Sequence, residues 1–251
     1  MKRLAYPNPF PDLLRPAEEG HLRHELKLLV NAQDLAIIRS RLNGLMPLDS
    51  HAGEGGRYTI RSLYFDDADN TCMRENEAGV DDRRKFRLRL YDGSADRIAL
   101  EIKSKTKGLT GKRRCLLTRG QCESLMRGRP PEPGSDMPPE LRRLCLLMRT
   151  RLMRPVVIVE YERTAFLTAA GNVRVTLDEN IGGSGRVGRF LDERVPLTPV
   201  LPPGQHVLEV KYDEFLPDAI ARTLQLGRLS RTSFSKYYLC RTHAPLARLP
   251  Y

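Results

Sequence analysis

Tryptophan is absent from the 251 residues, and aromatic residues make up only 6%. That scarcity argues against a single-stranded nucleic-acid reader, which interleaves stacking aromatics with its cations. The five cysteines are scattered, odd in number and without a CxxC pair. A disulfide framework or a cysteine zinc site is therefore not expected, and free thiols in a reducing compartment are. Long apolar runs are also missing. The longest, such as VVIV at 156–159, is far too short to span a bilayer. The opening MKRLAYPNPFPDLLRP lacks the apolar core of a secretory leader, so a cytoplasmic location is the expectation. The glycines of 182–188 lack the spacing of a P-loop. His21, His24, His51, His206 and His243 stand in no metal-ligand spacing.

What is present is positive charge, and it is concentrated. The net charge is +11. Residues 83–119 hold 13 Lys or Arg against 3 Asp or Glu, a net of +10, which leaves the rest of the chain near balance. In 83–91, Arg83, Lys85, Arg87 and Arg89 share one parity, and Phe86, Leu88 and Leu90 the other. Strand side chains alternate faces, so such a segment is cationic on one side and apolar on the other. The pattern returns where Glu101, Lys103 and Lys105 oppose Ile102, and where Lys112 and Arg114 flank Arg113. Neighbouring strands that gather this much like charge repel one another unless an anion lies between them.

The chain reads as one domain over 21–251, preceded by a Pro-rich flexible arm over 1–20. Strands are expected at 22–30, 57–66, 84–92, 97–105, 112–118, 155–167, 172–178 and 206–212, with a doubtful one near 189–194. Asp92-Gly93 and Lys107-Gly108 mark hairpin turns. Asn31 caps a helix from Ala32 to Met46, with Leu35, Ile38 and Leu42 as its apolar stripe. Residues 67–82 read as an irregular acidic link and 119–153 as a helical interlude broken at 130–139. Residues 182–188 read as a Gly-rich loop, and 217–226 as a helix. About eight mostly antiparallel strands among helices make an α+β protein built on a closed barrel. The polar parity must point inward, and the aliphatic parity outward beneath the helices.

A tunnel lined with arginine and lysine suits phosphate: arginine grips oxygens bidentately, and lysine supplies a compact charge. Glu25, Glu101 and Glu209 in the same rows would pair with the cations or hold a divalent ion. On oxygen ligands beside phosphate, that ion would be Mg²⁺ or Mn²⁺. Parity is ambiguous at 160–163, where either Glu160 and Glu162 or Arg163 could face inward. Arg61 and Tyr64 have opposite parities, so at most one lines the tunnel.

Nine segments occur in an order that resembles VTC domains: RHELKLLV, IRSLYFDD, RRKFRLRLY, LEIKSK, GKRRC, YERTAF, VRVTLD, LEVKYDEFLP and SFSKYY. These are polyphosphate polymerase domains of the vacuolar transporter chaperone and its bacterial stand-alone relatives, within the CYTH or triphosphate tunnel metalloenzyme superfamily. The resemblance spans about 21–243. It implies a tunnel that transfers the γ-phosphate of ATP to inorganic polyphosphate with Mn²⁺ or Mg²⁺. It implies Lys27, Arg87, Arg89, Lys103, Lys112, Arg163, Arg174 and Lys236 as catalytic phosphate ligands, and it is what turns Arg163 inward. Lys105, Arg114, Lys211 and Ser235 would add substrate contacts. Glu209 would hold the metal, with Glu25 and Glu101 as further candidates. ATP and polyphosphate are the partners implied, and nucleic acid is not. A membrane-protein partner would suit the resemblance, although the sequence itself gives no sign of one. The superfamily's ExExK motif stands here as Arg23-x-Glu25-x-Lys27, with a cation in place of one carboxylate. That weakens a two-metal triphosphatase, which is the enzymatic alternative. A non-catalytic polyphosphate- or nucleic-acid-binding module is the other.

Overall fold

A computed structural model describes residues 23–50, 52–53, 55–225, 229 and 234–244. The expected arm over 1–20, together with His21 and His51, lies outside the described residues. The strands are β1 (His24–Asn31), β2 (Tyr58–Asp66), β3 (Arg83–Tyr91), β4 (Ser94–Thr106), β5 (Leu109–Leu117), β6 (Arg154–Thr168), β7 (Val173–Ser184), β8 (Thr198–Pro199) and β9 (Gln205–Tyr212). The helices are α1 (Ala32–Asn43), α2 (Thr71–Glu77), α3 (Arg119–Met126), α4 (Pro139–Thr150), α5 (Asp218–Thr223) and α6 (Lys236–His243).

Eight strands form one antiparallel sheet in the order β1-β9-β7-β6-β2-β3-β4-β5, with β8 attached to β7. The sheet curls until its edges meet. Arg23 and Thr110 exchange two backbone hydrogen bonds of 3.3 Å and close the barrel. From that bridge β1 and β5 run apart, so they overlap only at their ends. The Lys103 ammonium reaches across the seam to Glu25 at 2.9 Å.

Local chemistry accounts for the elements. Asn31 caps α1, its side-chain oxygen accepting from the Asp34 amide at 2.8 Å. Both hairpin turns put their two central residues at positive φ: Asp92 at 50° and Gly93 at 69°, Lys107 at 51° and Gly108 at 78°. That conformation matches the twist of the flanking strands. The link at 67–82 is not irregular, because it contains α2. The buried Asp66 carboxylate accepts from the amides of Cys72 at 2.8 Å and Met73 at 3.2 Å, and Asp67 accepts from Thr71 at 2.8 Å. Caps contributed by the end of the preceding strand, without an apolar stripe, left no periodic signal. Residues 182–184 are the end of β7 and not a loop. A Cβ at Gly183 would lie 2.7 Å from the Cys240 Cβ, so glycine is what lets α6 lie directly on the strand. The doubtful strand near 189–194 is absent; a single 3₁₀ turn, Val187–Arg189, occupies its start. The last expected helix is shorter, Asp218–Thr223, and Leu226 lies outside the described residues.

The barrel is apolar outside and polar inside. Leu88, Leu90, Leu100 and Ile158 are wholly buried in a cluster with Cys122, Leu125, Leu141 and Leu144 of α3 and α4. A second cluster joins Leu28, Val175, Leu177, Leu208 and Val210 to Leu35, Ile38 and Leu42 of α1 and to Ile220. Each such side chain contributes about 1.5–3 kcal/mol on leaving water. These contacts hold the strands at a register that points the other parity into the lumen. All five cysteines are free, as expected.

Candidate functional site: a cationic lumen

The inward parity lines a cavity of about 400 Å³. Eleven lysines and arginines face it, against two glutamates, Glu25 and Glu209. A second cavity of about 240 Å³ shares Glu25, Lys27, Lys85, Lys103, Thr110 and Ser235 with the first. The lumen therefore continues past the start of α6 toward the Lys107-Gly108 turn.

Lys27, Arg87, Arg89, Lys103, Lys112, Arg163, Arg174 and Lys236 all line the larger cavity, with Lys211 and Ser235. Lys105 lines the smaller one. Arg114 lines neither; it is exposed on β5 opposite Glu101. Glu101 lines neither and is only 1% exposed. Arg87 bonds its carboxylate at 2.6 Å and Lys112 at 3.1 Å, and Arg89 lies at 3.5 Å. Burial works against that charge, but Arg87, Arg89 and Lys112 hold Glu101 far below the usual carboxylate range. Glu101 thus stands as a counter-ion beneath these cations.

Parity at 160–163 is settled by the pairing with β2. Ile60 stands opposite Tyr161 and Tyr58 opposite Arg163, and all four line the cavity. The extra residue of the β6–β7 register shift lies on β7, between Glu179 and Gly182. Glu160 and Glu162 face outward to Arg61 and Arg57. Arg61 is thus an outer residue, and Tyr64 is the one that lines the lumen. Arg163 grips Asp178 with two hydrogen bonds of 2.6 and 2.7 Å. Lys236, delivered from the first position of α6, reaches the same carboxylate at 2.6 Å. Asp178 has no exposure. Burial opposes its ionisation, but Arg163 and Lys236 keep it charged, with its pKa lowered.

Glu25 and Glu209 sit diagonally on adjacent strands, Glu25 opposite Lys211 and Glu209 opposite Lys27. Burial and the neighbouring Glu209 disfavour the Glu25 charge, but Lys103 and Lys27 outweigh them. Burial also opposes Glu209, and Lys211, 2.8 Å away, leads the cations that hold it well below the usual range. The neighbouring cations thus favour the charged form of both, the form a metal ligand takes. Among the described residues, no group of three His, Cys, Asp or Glu gathers as a metal cage. Two carboxylates completed by phosphate oxygens suit Mg²⁺ or Mn²⁺, which are commonly held in that way.

Sequence reading passed over Lys85, although it stands in the inward row of β3. Its ammonium contacts Asn76 and the Ser235 hydroxyl and lies 5.3 Å from the Tyr237 ring centre. It also left Tyr64 open against Arg61 and named no other tyrosine for the lumen. Tyr58, Tyr64, Tyr91, Tyr161 and Tyr237 all line the cavity. They pack against the cations: Arg87 lies 5.7 Å from the Tyr64 ring, and Arg163 and Lys236 lie 5.2 and 4.8 Å from Tyr161.

Burial pushes the amines of Lys85 and Lys103 down, to about 7 in each case; neighbouring cations add to the effect, and at Lys103 the Glu25 carboxylate opposes it. Both therefore titrate near neutral pH. A polyanion favours the charged form, so binding draws in protons. Calorimetric titration of tripolyphosphate at pH 7, in buffers of different ionisation enthalpy, should show this uptake. Lys85→Gln should remove about half a proton of it. As pH rises from 6 to 8, affinity should fall in the wild type and fall less in the variant. An equal fall in both would assign the titration elsewhere.

Fold and site together define a class: an antiparallel strand tunnel with a cationic lumen. The chain belongs to the VTC domain family, whose match covers residues 22–243. Solved structures with a similar course of chain include a putative adenylate cyclase from Bacillus halodurans (14% identity, 82% of this chain and 87% of that one, TM-score 0.47). Another is a putative adenylyl cyclase from Hippeastrum with a dominant triphosphatase activity (13%, 89% and 97%, 0.48). The Mimivirus capping enzyme triphosphatase is a third (12%, 85% and 89%, 0.40). No curated relative matches the chain. Among the described residues no helix is long and apolar enough to cross a membrane.

Proposed function

We propose that this protein is a polyphosphate polymerase, transferring the γ-phosphoryl group of ATP to the end of a polyphosphate chain in the lumen. The observation that carries this reading is the lining of eleven cations against two carboxylates, continued into a second cationic cavity. Phosphoryl transfer needs positioning and charge neutralisation more than covalent chemistry. The terminal phosphate of the chain is already an anion, so chain growth needs no strong general base. The barrier is the repulsion of two polyanions brought into line. Arg89, Arg163, Lys236 and their neighbours supply the opposing field before either substrate arrives. Asp178 and Glu101 fix those cations from behind and leave their outer N–H groups toward the lumen. Glu209, with Glu25, would hold one Mg²⁺ or Mn²⁺. When bound, that ion would neutralise phosphate oxygens as a Lewis acid.

A triphosphatase is the second reading. It would use water as nucleophile and needs more carboxylate in the lumen than Glu25 and Glu209 supply. Incubation with γ-labelled ATP and Mn²⁺, followed by gel separation of products, tests the choice. A lengthening ladder of labelled polyphosphate is expected. Labelled orthophosphate alone would favour hydrolysis, and unchanged ATP a binding module.

A further inference from the structure

Ser235 is placed like a nucleophile. Its Oγ lies 3.0 Å from the Lys85 Nζ and caps α6, accepting from the Tyr238 amide at 3.3 Å. It faces both cavities at their junction. We propose that Ser235 accepts a phosphoryl group from lumen-bound ATP and so primes the first polyphosphate chain. The proposal rests on the polymerase reading.

The partners of Lys85 explain why it could serve as base. From α2 it meets Asn76, and from α6 the Ser235 hydroxyl and the face of Tyr237. All of these are neutral. The charges it feels from β1, β4 and its own strand are those of Lys27, Lys103 and Arg83, all cationic, and the buried Cys72 thiol of α2 acts more weakly the other way. Glu25 neutralises Lys103 and Lys27, at 2.9 and 3.3 Å, but no such ion pair joins Lys85 among the described residues. Bound ATP shifts Lys85 toward the ammonium, so the reactive complex is the fraction that keeps the free amine, the form that burial and the neighbouring cations favour, and labelling should speed up from pH 6 to 8. The 3.0 Å contact serves in either direction. The ammonium donates to Oγ, whereas the free amine accepts the Oγ proton. A hydroxyl, an adjacent base and a group orienting that base make up an activated nucleophile, and here Asn76 is the orienting group.

In the step, the Ser235 Oγ bonds to the γ-phosphorus. The bond from that phosphorus to the β,γ-bridging oxygen breaks, and ADP leaves with its electron pair. The Oγ proton passes to Lys85 Nζ. The new ammonium then faces the phosphoserine dianion, with Lys27 and Lys236 also at hand. Phosphoserine is an anionic phosphate, so the next transfer requires no base.

The test is to incubate the full chain with γ-labelled ATP and Mn²⁺ without added primer, denature it and map the label by mass spectrometry. Label that survives denaturation on Ser235, together with polymer, is the expected result. Lys85→Gln should slow labelling at pH 7 by about tenfold or more. Ser235→Ala should lose the covalent label and most unprimed chain growth, and added tripolyphosphate should narrow the second deficit. Polymer made by wild-type protein with Ser235 unmodified would overturn the priming role alone. Label without polymer would overturn priming as well, because the phosphoserine then leads nowhere. Neither label nor polymer until tripolyphosphate is added would overturn the priming role, and no polymer even with tripolyphosphate would overturn the polymerase reading itself.

Discussion

Glu209→Gln should lower metal-dependent turnover by about 100- to 1,000-fold, the loss that follows removal of one electrostatic contributor at a reacting phosphate. Metal-free ATP binding should stay at the wild-type level or rise. Glu209 is one of two carboxylates that face the lumen among the described residues. It repels phosphate directly, and it occupies Lys211 at 2.8 Å. The amide removes both effects while keeping the shape. Its cation neighbours already repel one another, so some stability should be lost; melting curves alongside the rates separate that loss from chemistry. A variant with unchanged rate and unchanged dependence on Mn²⁺ would move the metal to Glu25.

Leu88→Ala and Arg89→Ala, adjacent on β3, should have opposite effects. Leu88 has no exposure and belongs to the outer apolar cluster. Truncation should cost about 2–5 kcal/mol by opening a cavity, and for a chain of this length each kcal/mol lowers Tm by roughly 2–4 °C. Initial rates on the folded fraction should hold. Arg89 donates weakly, to Ser62 at 3.3 Å and to Tyr161 at 3.5 Å, and lies 3.5 Å from Glu101. Its loss should cut turnover by about 100-fold with little change in melting. Arg87 is a poorer probe than its place in the row suggests. It holds the buried Glu101 carboxylate at 2.6 Å, so its removal unsettles the fold as well. Normal stability in Leu88→Ala together with unfolding of Arg89→Ala would mean that the strand faces the other way.

The parity of β3 could be read from sequence because a slip by one residue reverses every side chain, and a row of four cations cannot be buried under helices. The same logic assigned β4, β5 and β9. It failed where alternation allows two phases. β6 alternates regularly from Glu160 to Arg163, and only its pairing with Tyr58 and Ile60 of β2 fixes which parity faces inward, so Arg163 needed the family resemblance. Within the lumen, alternation names the side chains that point inward but not their depth. Glu101 and Lys103 share a face, yet one is sealed beneath arginines and the other lines the cavity. Arg114 points the right way but lies beyond the end of the cavity. Composition also misled. Few aromatics overall did not mean few in the lumen, because five of the nine tyrosines line it, where their rings pack against cations. Lys85 looked like one more member of a row. Its distinction is a shell of neutral partners drawn from α2, which carries no periodic signal, and from α6, which is 150 residues away in sequence.

The central claim is that the inward cations form a phosphate track. A crystal structure with tripolyphosphate and Mn²⁺ tests it most directly. The ligand should lie in the lumen, with its oxygens on Arg89, Arg163 and Lys236 and the metal on Glu209. Tripolyphosphate bound only on the outer surface, with the lumen holding solvent, would contradict the account.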